Sequence, residues 1–215
     1  VSVALVDNDV LYKTSVYGLA HSLIETKPRG ASEFHALGAA RFMISKRITK
    51  RPPVRGAEAA LREFEALLGK LGVLEPTQEE VVLAAELEYL AGQAGQSLDG
   101  GESLLCAILI TRAWDLVFTG DKRAITAVSM LLPQQVCKPL AGRLVCLEQL
   151  FLHLLSVADP VAVRAAVCSE RHADRALTSC FACHSEVAAT EGFFEGLDSY
   201  VRALRAAAPG VLSDD

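Results

Sequence analysis

Short, β-rich apolar runs alternate in this chain with longer stretches of helical periodicity, and that alternation restricts the folds open to it. Val1-Ser2-Val3-Ala4-Leu5-Val6 reads as a buried strand that ends on Asp7. Leu116-Val117-Phe118-Thr119 reads as a second, closed by Gly120-Asp121, and Leu144-Val145-Cys146-Leu147 as a last one. Strands that are apolar throughout are buried on both faces, which is the condition of a parallel sheet covered by helices. The expected fold is therefore α/β, a central parallel sheet flanked by helices. With 215 residues the chain can bury one sizeable core. Hydrophobic residues make up 51% but aromatic ones only 6%, so Ala, Leu and Val must build that core.

Between the strands, Val10 to Glu25 carries helical periodicity and is stopped by Lys27-Pro28-Arg29-Gly30. Ala31-Ser32-Glu33 is read as the opening of a helix that runs towards Ile48, with Ser32 as its cap. Ala57 to Leu71 is amphipathic, and Thr77 with Glu80 matches a capping box at the start of a helix reaching about Ala94. Glu102 follows a Gly-Gly turn and begins the apolar helix SLLCAILITRA. Beyond residue 150 the pattern turns to Ala-rich helices without a strand signal. The expected organisation is an α/β domain over residues 1–150 and a helical C-terminal extension over 151–215.

Several function classes are disfavoured at this level. No apolar run approaches the roughly 20 residues that cross a bilayer, and no basic segment leads an apolar one at the N-terminus. The expectation is a cytoplasmic protein without a membrane partner, its six cysteines reduced. A formal net charge of −5 argues against a broadly basic, nucleic-acid-coating protein, while leaving room for a local basic groove.

The acids carry the functional signal. Asp7 and Asp121 each follow a strand, and ligands of open parallel sheets bind outside the carboxyl ends of the strands. Glu33 and Glu102 are read at helix starts, where the positive helix end favours a carboxylate. Taken singly, each acid is explained as a cap or turn residue. Together they suggest one shared site for a hard cation.

The segments VALVDNDVLYK, SEFHALGAARF, LDGGESLLCAIL and LVFTGDKRAI, with GRLVCLEQLF extending the pattern to about residue 150, resemble the PIN-domain nucleases. The resemblance implies metal-dependent phosphodiester hydrolysis, mostly of RNA, by an endonuclease. Carried over by position, Asp7, Glu102 and Asp121 would hold Mg²⁺ or Mn²⁺, Glu33 would position the attacking water, and Asp99 would support the third motif. Asp9 falls where the family commonly has Asn. Many family members are toxins of toxin–antitoxin pairs, which implies an antitoxin-like or other regulatory protein as a partner. The C-terminal helices are open to three roles: covering an apolar face, self-association into a homo-oligomer, or docking a regulator.

Lys46, Arg47, Lys50, Arg51 and Arg55 place five cations within ten positions, read either as a solvated helix end or as contacts to a nucleic-acid backbone. In view of the nuclease resemblance, RNA contact is the expectation, with Lys122 beside Asp121 a candidate for the scissile phosphate. Cys168, His172, Cys180 and Cys183 would make a Cys₃His zinc set only if the helix beginning at Pro160 broke near Ala173-Asp174. No Gly or Pro supplies that break, so ordinary reduced cysteines are expected instead. Cys180-x-x-Cys183-His184 matches a haem-attachment pattern, but without the setting such a site needs.

Two rivals remain. VALVDNDVL also looks like the first motif of haloacid-dehalogenase-like phosphohydrolases, with Asp7 as nucleophile and Asp9 as acid/base. That family expects an acid four residues after Asp121, where Ile125 stands, and it leaves Asp99 and Glu102 unused. The other rival is a catalytically inactive PIN-like scaffold that binds RNA or protein.

Overall fold

A computed structural model describes residues 1–185 and 189–214. Five strands form one sheet: β1 (Ser2–Val6), β2 (Ala31–Leu37), β3 (Gly72–Leu74), β4 (Leu116–Thr119) and β5 (Leu144–Cys146), in the order β3-β2-β1-β4-β5. Every neighbouring pair is parallel. The expected α/β architecture, a central parallel sheet flanked by helices and followed by a helical C-terminal region, is what the chain adopts.

The helices are α1 (Asn8–Tyr17), α2 (Ala20–Glu25), α3 (Ala40–Lys50), α4 (Ala57–Leu68), α5 (Gln78–Gln93) and α6 (Gly100–Arg112) in the first half. They continue with α7 (Lys122–Leu131), α8 (Leu147–Val157), α9 (Pro160–Ser169), α10 (Arg175–Cys180) and α11 (Thr190–Ala207). Alternate strand residues feed opposite layers. Ala4, Val6, Phe34, Ala36, Phe118 and Val145 pack under α1–α4 and α8–α10, whereas Leu5, Val117, Leu144 and Cys146 pack under α5–α7. Val163, Val167, Leu177 and Phe181 lie in the first of these layers, so the helices beyond residue 150 share their core with the sheet. Leu212 returns to bridge Leu144 beside β5.

Three local readings change. The helical stretch from Val10 to Glu25 is two helices, because Gly18 takes a left-handed conformation (φ 72°) and ends α1 there, a backbone state that glycine adopts without steric cost. The helix expected from Ala31 is a strand over its first seven residues, and α3 starts only at Ala40. From Glu33 on, Phe34 and Ala36 are buried while Glu33 is exposed and His35 and Leu37 are only partly covered, an alternation that serves a strand between β1 and β3, and sheet pairing overrode the helical reading. The helix from Pro160 also breaks. Asp174 accepts the backbone N–H of Leu177 at 2.9 Å and caps α10 afresh, so no Gly or Pro was needed. Positions 186–188 of that span lie outside the described residues.

The break brings Cys168 and Cys183 to a Cα–Cα distance of 5.1 Å, and the two form a disulfide. This corrects the expectation of six reduced thiols. It also removes two donors from the Cys₃His set, because sulfurs bonded to each other do not act as thiolate ligands. Cys180 is buried and unbonded, its thiol pushed up to about 11 by burial, then by Glu148 and Asp174. Among the described residues no helix is long and apolar enough to cross a membrane.

Candidate active site

Parallel strands deliver their carboxyl ends to one edge, and β1 and β4 are neighbours in mid-sheet. Asp7, the residue after β1, therefore comes to lie beside the end of β4. Its backbone N–H donates to the Phe118 carbonyl at 2.9 Å, and the Thr119 hydroxyl donates to its Oδ2 at 3.1 Å. The same hydroxyl accepts the backbone N–H of Asp121 at 3.1 Å. Thr119 thus ties the two strand-end aspartates together. Asp7 is only 6% exposed, and its pKa rises to about 6, through burial first and the nearby charge of Asp9 second.

Glu102 reaches the same region from the first turn of α6. Its Oε2 accepts the Asp99 backbone N–H at 2.8 Å, closing the turn that opens the helix. Its pKa rises to about 7, through burial, then the charge of Asp7, with Asp121 and Asp99 adding smaller repulsions. Asp7, Glu102 and Asp121 therefore share one electrostatic neighbourhood, although 114 positions separate the first from the last. Asp99 stands at its rim, its side chain 67% exposed and 3.9 Å from Arg123.

Asp121 caps α7, accepting the backbone N–H of Arg123 at 2.7 Å and of Ala124 at 3.3 Å. The Arg123 guanidinium lies 2.8 Å from its Oδ2. Burial works to raise its pKa, but Arg123 and the two backbone donors outweigh that and hold it below the usual carboxylate range.

Glu33 does not join this group. It lies within β2, paired with Val3 near the start of β1, four positions before Asp7. At about 3.3 Å per strand residue this places it on the order of 13 Å from the acidic edge. Its carboxylate stands 3.8 Å from His35, whose ring stacks on Trp114 with centroids 4.6 Å apart. Reading residue 31 as a helix start was the source of the displacement.

Residues that the motif reading left out complete the edge. Lys13, one helical turn beyond Asp9, forms an ion pair with it and a second, at 2.6 Å, with Asp174 from the cap of α10. Burial would lower the pKa of this ammonium, but the two carboxylates raise it, so it stays charged. Arg47 lies 3.6 Å from Asp9 and covers the Tyr12 ring at 3.7 Å. The spacing of Asp9 and Lys13 was visible in the sequence; nothing local pointed to Asp174.

The basic residues divide. Lys46, Arg47, Lys50, Arg51 and Arg55 are exposed, and only Arg47 of these lines the cleft beside the acids. Val54 and Arg55 donate their backbone N–H groups to Glu170 at 2.8 and 2.7 Å, which fastens the basic loop to the C-terminal helices. Lys122 also lines the cleft beside Asp121, but its ammonium is engaged. Its ammonium is 2.8 Å from the fully buried Glu148 and 5.6 Å from the Tyr200 ring centroid, the position of a structural counterion.

An open cleft of about 440 Å³ follows the acidic edge, lined by Asp9, Lys13, Arg47, Asp121, Arg123 and Arg175 among others. A larger one of about 810 Å³ lies at the opposite end of the strands, where Ser2, Arg29, Asp115 and Arg143 line it. The smaller cleft carries the functional weight because it lies at the strand ends where α/β sheets bind ligands. Among the described residues no three Asp, Glu, His or Cys side chains stand within joint coordinating reach. The donor chemistry nonetheless suits a hard cation: oxygen ligands, of which buried Asp7 and half-buried Glu102 are held above the usual carboxylate range, by burial first in each and then by a neighbouring carboxylate. No family model matches this chain, and no curated protein is similar to it in sequence.

Proposed function

We propose that this chain is a PIN-like, metal-dependent endonuclease that hydrolyses phosphodiester bonds, in RNA above other substrates. The observation that supports the reading is that Asp7, Glu102 and Asp121 share the carboxyl edge of β1 and β4, near enough for the charges of Asp7 and Asp121 to bear on Glu102, though not within joint coordinating reach. Carboxylates that repel one another in a half-buried edge are relieved by a divalent cation. A bound Mg²⁺ or Mn²⁺ supplies Lewis acidity towards a phosphoryl oxygen and lowers the pKa of water. Asp7, Glu102 and Asp121 would hold it. Thr119 fixes the Asp7 carboxylate by its hydrogen bond, and Arg47 and Arg175 give the cleft cationic walls for a phosphate backbone. Glu33 has no part in this arrangement.

The test is Mn²⁺-dependent cleavage of a mixed single-stranded and structured RNA pool by the full chain. Cleavage that falls at least about 100-fold in Asp7→Asn and in Glu102→Gln, with folding unchanged by circular dichroism, supports the reading. Cleavage undiminished in both variants overturns it.

One observation favours a second reading, a non-catalytic nucleic-acid-binding scaffold. Arg123 already neutralises Asp121, and Lys13 already neutralises Asp9. RNA binding without any cleavage by the wild type, across Mg²⁺ and Mn²⁺, selects this alternative.

A further inference from the structure

The basic loop after α3 and the turn between α9 and α10 enclose a second pocket, of about 270 Å³, beside the acidic cleft. Part of its lining is apolar, from the Tyr12 ring, Val16 and the consecutive prolines Pro52 and Pro53. The rest is nitrogen-rich, from Arg47, Arg51 and His172. The one carboxylate that lines it, Glu170, is 5% exposed and already accepts the backbone N–H groups of Val54 and Arg55. Those two bonds fix the walls of the pocket to each other. Arg47 and Ala173 line both this pocket and the acidic cleft, so the two are continuous. His172, a zinc candidate by its spacing, thus stands with cations and apolar rings instead.

We infer that this pocket receives a nucleobase of a single strand whose sugar–phosphate backbone follows the acidic cleft, so that the C-terminal helices build part of the substrate groove. The inference rests on the nuclease reading above. A nucleotide joins a flat ring to an anion, and the pocket offers a complement to each. An imidazole stacks on a base face, and proline rings and the guanidinium of an arginine pack against one. Arg47 is 46% exposed at its side chain yet held 3.7 Å from the Tyr12 ring centroid, so it is presented with little freedom left to lose. Arg51 is exposed, and among the described residues it has no ion-pair partner, which leaves its fork of donors for a phosphate. An inorganic anion would make no use of the prolines, and an apolar side chain would make none of Arg51. A duplex keeps its bases paired and stacked, so only an unpaired strand can place one here.

The experiment measures binding by the full chain at pH 8 in chelator, where no metal-dependent cleavage interferes. Fluorescence anisotropy follows two labelled probes, a ten-nucleotide single-stranded RNA and a ten-unit sugar–phosphate chain of equal charge without bases. Wild type is expected to bind the RNA at least about fivefold more tightly than the baseless chain. His172→Ala should remove most of that preference and leave the baseless chain bound as before, and His172→Phe, which restores a stacking ring, should recover it. Arg51→Ala should weaken both probes and lower the slope of log affinity against log salt by about 0.7. Lys138→Ala, which removes an exposed cation that lines neither cleft, should stay within about twofold of wild type on both. Circular dichroism checks that each variant folds. Equal affinity of the wild type for the two probes, no binding of either, or an undiminished preference in His172→Ala overturns the pocket and leaves the nuclease reading standing. A base preference that depends on His172, beside Mn²⁺-dependent cleavage undiminished in Asp7→Asn and Glu102→Gln, overturns the nuclease reading and leaves the pocket.

Discussion

Asp7 and Glu102 hold their protons to unusually high pH, about 6 and about 7, because burial penalises their charged forms and a neighbouring carboxylate, Asp9 for Asp7 and Asp7 for Glu102, adds to it. The consequence for stability has a definite sign. A carboxylate whose pKa is higher folded than unfolded favours the folded state at low pH, and that contribution is lost as pH rises through the folded value. In metal-free protein the loss runs from about pH 4 to 7, and for Asp7 it is on the order of 3 kcal/mol. Thermal melts in chelator at pH 5 and pH 7.5 should show the decline in wild type and a flatter dependence in Asp7→Asn/Glu102→Gln. Mn²⁺ should stabilise wild type more at pH 7.5 than at pH 5, because the ion competes with those protons. Glu33→Gln should leave cleavage within about twofold of wild type, since it lies on the order of 13 Å from the acids. Asp7, Glu102 and Asp121 were legible because each sits at the junction of a strand or helix with a turn, and junctions leave local signals. Thr119, Glu148 and Asp174 were not, since what they do depends on partners distant in sequence.

Among the elements, the α5–α6 pair shows how one buried acid can organise two helices. Glu80 closes the capping box with Thr77, and receives Arg112 through Nε at 2.6 Å and Nη2 at 2.9 Å and Thr111 at 3.0 Å. These donors, Arg112 foremost, lower its pKa to about 2. Glu80→Gln should destabilise the protein by about 2 kcal/mol at neutral pH, the worth of charge-assisted bonds to a buried carboxylate, measured by urea unfolding. The stabilisation is present above the ordinary Glu range and fades as pH falls towards 2, so the variant and wild type should converge in acid. The capping box was readable from Thr77 and Glu80 alone, while Arg112, 32 positions away, was not. The misreading of β2 has the same origin. Phe34 and Ala36 fit the buried face of a strand, yet with Leu37 and Ala40 they also fit a helix, and pairing with β1 and β3 decided between them.

For the molecule as a whole, the C-terminal helices fasten what the sheet exposes. Glu170 holds the basic loop at Val54 and Arg55, Asp174 holds Lys13, and the Cys168–Cys183 disulfide ties α9 to the turn after α10. With 15 positions between the cysteines, loop-closure entropy gives the disulfide a stabilising effect of about 3 kcal/mol. Cys168→Ser/Cys183→Ser should therefore melt several degrees lower than oxidised wild type, and mild reductant should lower the wild type to match. These tethers join segments that no local pattern connects, which is why the sequence reading found helices here but not what they hold. The Thr119–Asp7 bond that anchors the acidic edge spans 112 positions. A chain emerging from the ribosome therefore cannot assemble that edge before β4 has been made, and Lys13 waits longer still for Asp174. Any chemistry at this edge is withheld from the nascent chain until most of its length exists.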